Sequence, residues 1–225
     1  MKLKKSLGQN FLQSNDVVRD IVKTSETKTG ETVLEIGPGE GILTEELLLT
    51  GAKVFTVEKD DRLIPELHKK FVREISNKQL NLIHADILSI DMSRVPLDIE
   101  GKYKIVANIP YYITGQIIRK FLESNYQPES MTLLVQKEVA ERIVAKPGKE
   151  SLLSLSVKVF GEPVYVQTVS KGVFKPQPKV DSAILHIKNI SRSNLDGIDE
   201  KFFFKEGDIW WVSLGKNLGT ESYGK

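Results

Sequence analysis

The sequence lacks cysteine, has only three histidines and contains no long hydrophobic run. Without cysteine, disulfide bonds and thiolate-bound metal sites are excluded. His68, His84 and His186 show no metal-ligand spacing, so we expect no metal. No apolar run reaches the roughly 18 residues needed to span a bilayer, and the first residues are too briefly apolar for a signal peptide. We therefore expect no membrane contact and a cytoplasmic location.

A strong charge of one sign is also missing. The 32 lysines and arginines are nearly balanced by 30 aspartates and glutamates, which leaves a net charge of +2. A polyanionic partner would therefore have to bind a local basic patch, because the overall charge is too small to attract it. The 225 residues, of which 40% are hydrophobic, suffice for one substantial core and a small appendage.

Strand-like and helix-like patterns alternate along most of the chain. A first helix is predicted over "SNDVVRDIVKTSE", with Asn15 or Asp16 as its cap. Five strand-like runs, "TVLEIG", "KVFTVEKD", "LNLIHADIL", "YKIVANIP" and "MTLLVQ", are then interspersed with helical segments, among them the long predicted helix "RLIPELHKKFVREI". This order predicts an α/β fold with a mostly parallel, doubly wound sheet. The later runs "PVYVQTVSKGVF" and "DSAILHIKN", joined by the proline-rich "KPQPKV", predict an antiparallel strand pair.

The segment "LEIGPGEG" places Gly37, Gly39 and Gly41 between the first long strand and the next helix. Glycine allows the backbone to approach a ligand closely at such a turn. The spacing G-x-G-x-G differs from the dinucleotide pattern G-x-G-x-x-G, in which the helix N-terminus faces a pyrophosphate. The loop therefore argues against an NAD-dependent oxidoreductase, although a simple tight turn would also explain it.

Two carboxylates follow at the ends of the next two strands. Glu58 lies about 20 residues beyond the glycine loop, where a carboxylate can accept hydrogen bonds from both ribose hydroxyls. Asp86 could accept a hydrogen bond from an adenine amine, and ligands bind at the carboxyl ends of strands in open α/β sheets. The pattern favours a nucleoside cofactor without a pyrophosphate, and S-adenosylmethionine is a common one. Each carboxylate taken alone would also suit a solvated strand end.

The motif "NIPYYIT" follows another predicted strand and should face the same crevice. The Asn108 side-chain oxygen and a carbonyl beside or within Pro110 are neutral acceptors for an exocyclic amine with two N–H donors. Tyr111 could stack on the base that carries this amine. We interpret the motif as a site for methyl transfer to an adenine N6, with a strand-terminating turn as the structural alternative.

Four motifs, "SLGQNFL", "EIGPGEG", "NIPYYIT" and "VFKPQPKVDS", occur in this order. Together they resemble the ribosomal RNA adenine N6-dimethyltransferase family, which comprises the KsgA/Dim1 group and its macrolide-resistance (Erm) relatives. The resemblance runs from about Lys5 to Ile187. It implies a Rossmann-like class I methyltransferase fold and two successive methylations of adenine N6 with S-adenosylmethionine as cofactor.

The resemblance also implies roles for individual residues. The residues expected to bind the cofactor are Asn10, Leu12, Gly37, Gly39, Glu58, Asp86 and Asn108. The expected catalytic residues are Asn108, Pro110, Tyr111 and Phe174. Phe174 would be a second aromatic over the target base, and its alternative is a core aromatic before a proline turn.

Two segments, "SLGQNFL" and "AKPGKESLLSLSV", are more similar to the KsgA group. This branch implies dimethylation of two adjacent adenines in a hairpin near the 3′ end of small-subunit (16S) rRNA during ribosome maturation. The alternatives are an Erm-type methyltransferase of large-subunit rRNA and a non-catalytic assembly factor. We expect a monomer that contacts rRNA of the small ribosomal subunit through Lys2, Lys4, Lys5, Lys137, Arg142, Lys146, Lys149, Lys171, Lys175 and Lys179.

The end of the sequence departs from the family pattern. Residues 1–188 are predicted to form the methyltransferase domain, and residues 189–225 a truncated or atypical remnant of a small helical C-terminal domain. The stretch "EGDIWWVSLGKNLGTESYGK" has four glycines and adjacent tryptophans but no sustained helical periodicity. A shifted reading frame in the source would explain it, and the coding DNA would test this hypothesis.

Overall fold

The computed structural model describes residues 10–95 and 103–192. The predictions for Lys2, Lys4 and Lys5 and for the segment after residue 192 therefore lie outside the described residues. Within the described part of the chain, no helix is both long enough and apolar enough to cross a membrane.

The described residues form nine strands and seven α-helices. The strands are β1 (Phe11–Leu12), β2 (Thr32–Ile36), β3 (Lys53–Glu58), β4 (Leu80–His84), β5 (Tyr103–Asn108), β6 (Ser130–Gln136), β7 (Glu162–Val169), β8 (Phe174–Lys175) and β9 (Ser182–Lys188). The helices are α1 (Asn15–Thr24), α2 (Ile42–Leu49), α3 (Ile64–Lys70), α4 (Val72–Ser76), α5 (Thr114–Leu122), α6 (Lys137–Ile143) and α7 (Leu152–Phe160).

Seven strands form one sheet in the order β4-β3-β2-β5-β6-β9-β7. The pairs from β4 to β6 are parallel, whereas β9 runs antiparallel to both β6 and β7. The predicted mostly parallel sheet with an antiparallel C-terminal pair is therefore confirmed. From β2 the chain proceeds outward through β3 and β4 and then crosses to β5 on the other side of β2. Such a reversal of strand order opens a crevice at the carboxyl ends of β2 and β5.

The core lies on both faces of this sheet. Neighbouring residues of a strand point to opposite faces, and Val33 and Leu34 accordingly belong to different buried clusters. One cluster packs β2, β3, β5, β6 and β9 against α5, α6 and α7, and the other packs the sheet against α1, α2 and α3. Because helices cover both faces of the sheet, all five residues of β2, "TVLEI", are buried. The core thus fixes the carboxyl ends of the strands relative to one another.

Several local predictions were wrong or incomplete. The cap of α1 is Ser14, whose Oγ accepts a hydrogen bond from Val17 N at 3.4 Å, so neither Asn15 nor Asp16 is the cap. The predicted long helix "RLIPELHKKFVREI" is divided into α3 and α4 at Phe71, which has non-helical backbone angles. Helix α7, whose N-cap is Ser151, was not predicted.

A second, two-stranded sheet joins β1 to β8. Phe11 is paired with Lys175 and Leu12 with Phe174, and Gln13 N donates a hydrogen bond to Val173 O at 2.8 Å. This small sheet ties the segment before α1 to the connection between β7 and β9.

Candidate active site

A cavity of about 390 Å³ lies at the carboxyl ends of β2, β3, β4 and β5. This volume is within the range of about 300–1,000 Å³ that is usual for small-molecule and cofactor sites. Nine of the predicted site residues line it: Asn10, Leu12, Gly37, Gly39, Glu58, Asp86, Asn108, Pro110 and Tyr111. Folding therefore brings together five chain segments that are far apart in the sequence.

The glycine loop takes a backbone shape that favours glycine. Gly37 and Gly39 have φ angles of +68° and +58°, in the left-handed region. A Cβ atom on Gly39 would lie 2.9 Å from two ring carbons of Phe11. The absent side chain therefore lets β1 cross directly over the loop, so that Asn10 and Leu12 reach the cavity.

Glu58 is almost completely buried at the end of β3. Its Oε1 accepts a hydrogen bond from Asp60 N at 2.7 Å, and its Oε2 accepts one from Gly39 N at 3.4 Å. Burial raises the pKa of this carboxyl, which the backbone hydrogen bonds partly oppose. Each oxygen retains a lone pair, so the carboxylate can still accept hydrogen bonds from a diol in the cavity.

We expect the substitution Glu58→Gln to weaken binding of S-adenosylhomocysteine by roughly ten- to a hundredfold, because hydrogen bonds to a charged group contribute about 1.5–3 kcal/mol. Titration calorimetry would measure the change. Glu66→Gln, on the exposed surface of α3, is the matched control. Unchanged affinity in Glu58→Gln would exclude Glu58 as the ribose contact.

Asp86 lies two residues beyond the end of β4, which is two strands away from β2 and the glycine loop. Its Oδ1 accepts a hydrogen bond from Leu88 N at 3.0 Å, and its Oδ2 accepts one from Lys59 Nζ at 2.7 Å. The bond to Lys59 lowers the pKa of Asp86. Asp86 is therefore a charged acceptor, suited to an N–H donor such as an exocyclic amine.

Asn108 and Tyr111 are each oriented by one hydrogen bond. Asn108 Nδ2 donates to Asn10 O at 3.3 Å, while Asn108 Oδ1 accepts no bond from any residue in the described ranges. The Tyr111 hydroxyl lies 2.7 Å from Ser182 Oγ, which anchors the ring to the start of β9. The Asn108 oxygen, a neutral acceptor, and the Tyr111 ring, anchored by its hydroxyl, therefore both lie on the cavity wall.

Phe174 is not brought into the cavity. It is buried in the cluster that includes Leu12 and Ile184, next to its β1 partner. Its stacking role stays a prediction. The exposed aromatic on the cavity wall is Tyr112, whose residue surface is 61% exposed.

Sequence reasoning did not select Glu35, although it lies on the cavity wall. The side chain is fully buried, and its Oε2 accepts hydrogen bonds from Thr44 Oγ1 at 2.6 Å and Thr56 Oγ1 at 3.2 Å. Its Oε1 has no hydrogen-bond partner among the residues that the structure describes. Burial raises the pKa of Glu35 to about 7. The signal in the sequence was a lone carboxylate within the apolar strand "TVLEI".

These residues fit S-adenosylmethionine by the chemistry of their donor and acceptor groups. The cavity offers Glu58 for a diol, Asp86 for an amine and a glycine loop whose backbone is open to close approach. Among the described residues, no group of histidines or carboxylates could hold a metal ion. The arrangement suits a nucleoside cofactor without a pyrophosphate.

A family model described as ribosomal RNA adenine dimethylase matches residues 1–222. The chain belongs to this family. Membership makes the protein an rRNA adenine dimethyltransferase that uses S-adenosylmethionine, so the predicted family, enzyme class and cofactor are confirmed.

Curated relatives support the assignment. The "ribosomal RNA small subunit methyltransferase A" of Dehalococcoides mccartyi is 46% identical over 208 residues, covering 91% of this chain and 69% of the relative. The protein with the same name in Enterococcus faecalis is 42% identical over 231 residues, covering 99% of this chain and 77% of the relative.

Solved structures of family relatives share the fold. A dimethyladenosine transferase from Plasmodium falciparum is similar with a TM-score of 0.73 and 31% identity, covering 85% of this chain and 67% of the other. The 23S rRNA methyltransferase ErmE is similar with a TM-score of 0.72 and 30% identity, covering 92% of this chain and 84% of the other. The Rossmann-like class I methyltransferase fold is thus confirmed.

Proposed function

We propose that this family member dimethylates N6 of two adjacent adenines in a hairpin near the 3′ end of small-subunit 16S rRNA during ribosome maturation. The names of the relatives from D. mccartyi and E. faecalis support the choice of the small subunit. The structural observation that carries the chemistry is the uncommitted Oδ1 of Asn108 on the wall of the cofactor cavity.

In this proposal the protein holds both reactants through acceptors at the sheet edge. Glu58 accepts hydrogen bonds from the cofactor ribose, and Asp86 accepts one from its adenine amine. S-adenosylmethionine supplies a methyl group on a sulfonium, which needs no metal or redox partner. Asn108 Oδ1 and a main-chain carbonyl at Ile109 or Pro110 accept the two N–H bonds of the target amine and turn its lone pair toward the methyl group. Fixed geometry of this kind supplies much of the rate enhancement.

Tyr111 would stack on the target base. Its hydroxyl is anchored by Ser182, so little conformational freedom is lost when a base arrives. The target adenine has to leave its stack to reach this ring, which favours a looped or partly folded RNA over a duplex. The second stacking partner, Phe174, would have to leave the core cluster in which it is buried.

Basic side chains are available next to this edge of the sheet. Helix α6 starts where β6 ends, and Lys137 N donates a hydrogen bond to Asp181 O at 3.0 Å, which joins α6 to the connection between β7 and β9. The following exposed residues are proposed to contact RNA phosphates: Arg142, Lys146, Lys149, Lys171, Lys175 and Lys179. Lys137 lies in the same region and is partly buried. Such contacts orient the RNA without reading its sequence.

A methyl-transfer assay tests the proposed substrate. Purified protein is incubated with labelled S-adenosylmethionine and either undermethylated small ribosomal subunits or protein-free large-subunit rRNA. We expect up to four methyl groups per small subunit, because two adenines each accept two, and none on the large-subunit RNA. Incorporation into the large-subunit RNA would favour the Erm-type alternative. Binding to small subunits without methyl transfer would favour the non-catalytic assembly factor.

The organisation of the protein completes the proposal. We propose that residues 1–188 form the methyltransferase domain, that residues 189–225 form an atypical C-terminal segment, and that the protein is a cytoplasmic monomer. The last described strand ends at Lys188, which supports the boundary. Light scattering of the purified protein would test the monomer.

A further inference from the structure

The loop that carries Asp86 is a compact turn. Ser89 N and Ile90 N both donate hydrogen bonds to Asp86 O, at 3.0 and 2.9 Å, and Leu88 N donates to the Asp86 carboxylate. Asp86, Ile87 and Leu88 also line the cavity. The conformation of residues 86–90 therefore determines where the Asp86 carboxylate lies relative to a bound nucleoside.

Lys120 of α5 holds this turn from outside the cavity. Its Nζ donates hydrogen bonds to Leu88 O at 3.2 Å and to Ile90 O at 2.7 Å. The side chain is partly buried, and burial lowers the pKa of Lys120, against the opposing effect of Asp86 and Asp91. A partly buried lysine that donates hydrogen bonds to two main-chain carbonyls fixes the local geometry, whereas an exposed ion pair contributes little.

The same helix continues directly from the target-site motif. The turn Tyr111–Ile113 precedes α5 without a break, and α5 packs into the core through Ile117, Ile118 and Phe121. Lys120 therefore connects the turn that carries Asp86 to the helix that follows "NIPYYIT". Lys120 itself is not among the residues that line the cavity.

We propose that Lys120 is a positioning residue, which fixes residues 86–90 so that the Asp86 carboxylate accepts the adenine amine of S-adenosylmethionine. The inference rests on the proposed contact between Asp86 and the cofactor. Lys120 acts through Asp86 and touches neither the cofactor nor the RNA.

The test compares three variants of the full chain. Lys120→Met keeps the length of the side chain but removes its donors, Lys120→Arg keeps donors, and Arg119→Met removes a charge from the neighbouring exposed position of α5. We expect Lys120→Met to weaken S-adenosylhomocysteine binding by on the order of tenfold, which lies within the usual range of coupling between neighbouring residues. We expect KM for S-adenosylmethionine to rise equally, with kcat at saturation and KM for RNA unchanged. Lys120→Arg should restore most of the affinity, and Arg119→Met should bind like the unmodified protein.

A double-mutant cycle with Asp86→Asn separates positioning from general destabilisation. If Lys120 acts through Asp86, adding Lys120→Met to Asp86→Asn will cause little further loss of affinity. If the double variant lost affinity by the product of the two single-variant losses, the proposal would be overturned. Unchanged binding in Lys120→Met would overturn it as well. Urea unfolding of each variant shows whether it is folded under the binding conditions. If Lys120→Met is unfolded, the affinity of Lys120→Arg for S-adenosylhomocysteine provides the readout. If the unmodified protein failed to bind S-adenosylhomocysteine, the cofactor site itself would be wrong. If Asp86→Asn alone left the affinity unchanged, the contact between Asp86 and the cofactor would be wrong.

Discussion

Replacing Asn108 with alanine will lower kcat for methyl transfer by roughly a hundred- to a thousandfold, the loss typical when one preorganised hydrogen-bonding group is removed from an active site. The expected cause is the loss of the Oδ1 acceptor that orients the target amine, so that the nucleophilic lone pair no longer faces the methyl group. Single-turnover transfer of labelled methyl groups to undermethylated small subunits measures the rate.

Asn108→Ala also removes the hydrogen bond from Nδ2 to Asn10 O, so cofactor binding has to be measured in parallel. We expect the affinity for S-adenosylhomocysteine to fall by much less than kcat. Asn81→Ala, on β4 outside the cavity, is the matched control and should retain full activity. A variant with the affinity and the rate lowered equally would show that Asn108 serves the cofactor alone.

Glu35 gives the second large effect, a pH-dependent change in the free energy of unfolding. Its pKa is about 7 in the folded protein, against an ordinary value of 4.5, because the carboxyl is fully buried. The folded state therefore holds the proton more tightly than the unfolded state. Stability from this group is fully present below pH 4.5 and is lost as the pH rises to about 7. The full loss corresponds to about 3 kcal/mol.

The substitution Glu35→Gln removes this titration, since the amide resembles the protonated carboxyl. We expect the variant to gain about 3 kcal/mol relative to the unmodified protein between pH 4 and pH 8. Urea unfolding of both proteins across this range measures the difference, and Glu66→Gln controls for the loss of one negative charge at an exposed site. A difference in stability that stayed constant with pH would show that the pKa of Glu35 is the same in the folded and unfolded states.

Much of the fold followed from local patterns. The apolar runs that became β2, β3, β5 and β6 are buried on both faces, so each appears in the sequence as a short, nearly continuous hydrophobic stretch. Their alternation with helices determined the parallel sheet, and the carboxyl-end rule then placed Gly37, Glu58 and Asn108 at one edge.

The remaining features depend on contacts between distant residues, which a pattern in one segment does not contain. Phe174 packs against Leu12 because β1 and β8 pair across more than 160 positions, and nothing in "VFKPQPKV" indicates that partner. Lys120 is equally inconspicuous in "IIRKFL", since its acceptors are two main-chain carbonyls about 30 residues earlier. The cap at Ser14 was missed for a local reason, because three consecutive residues, Ser14, Asn15 and Asp16, are all good caps.

The reversed direction of β9 determines where the connection between β7 and β9 lies. Ser182 pairs with both Gln136 and Val169, so residues 170–181 begin and end at the cavity edge of the sheet. This connection is held in place, because β8 pairs with β1, Phe174 is buried beside Leu12, and Lys137 N donates a hydrogen bond to Asp181 O. A rearrangement of this connection would therefore be transmitted through β1 to Leu12 on the cavity wall.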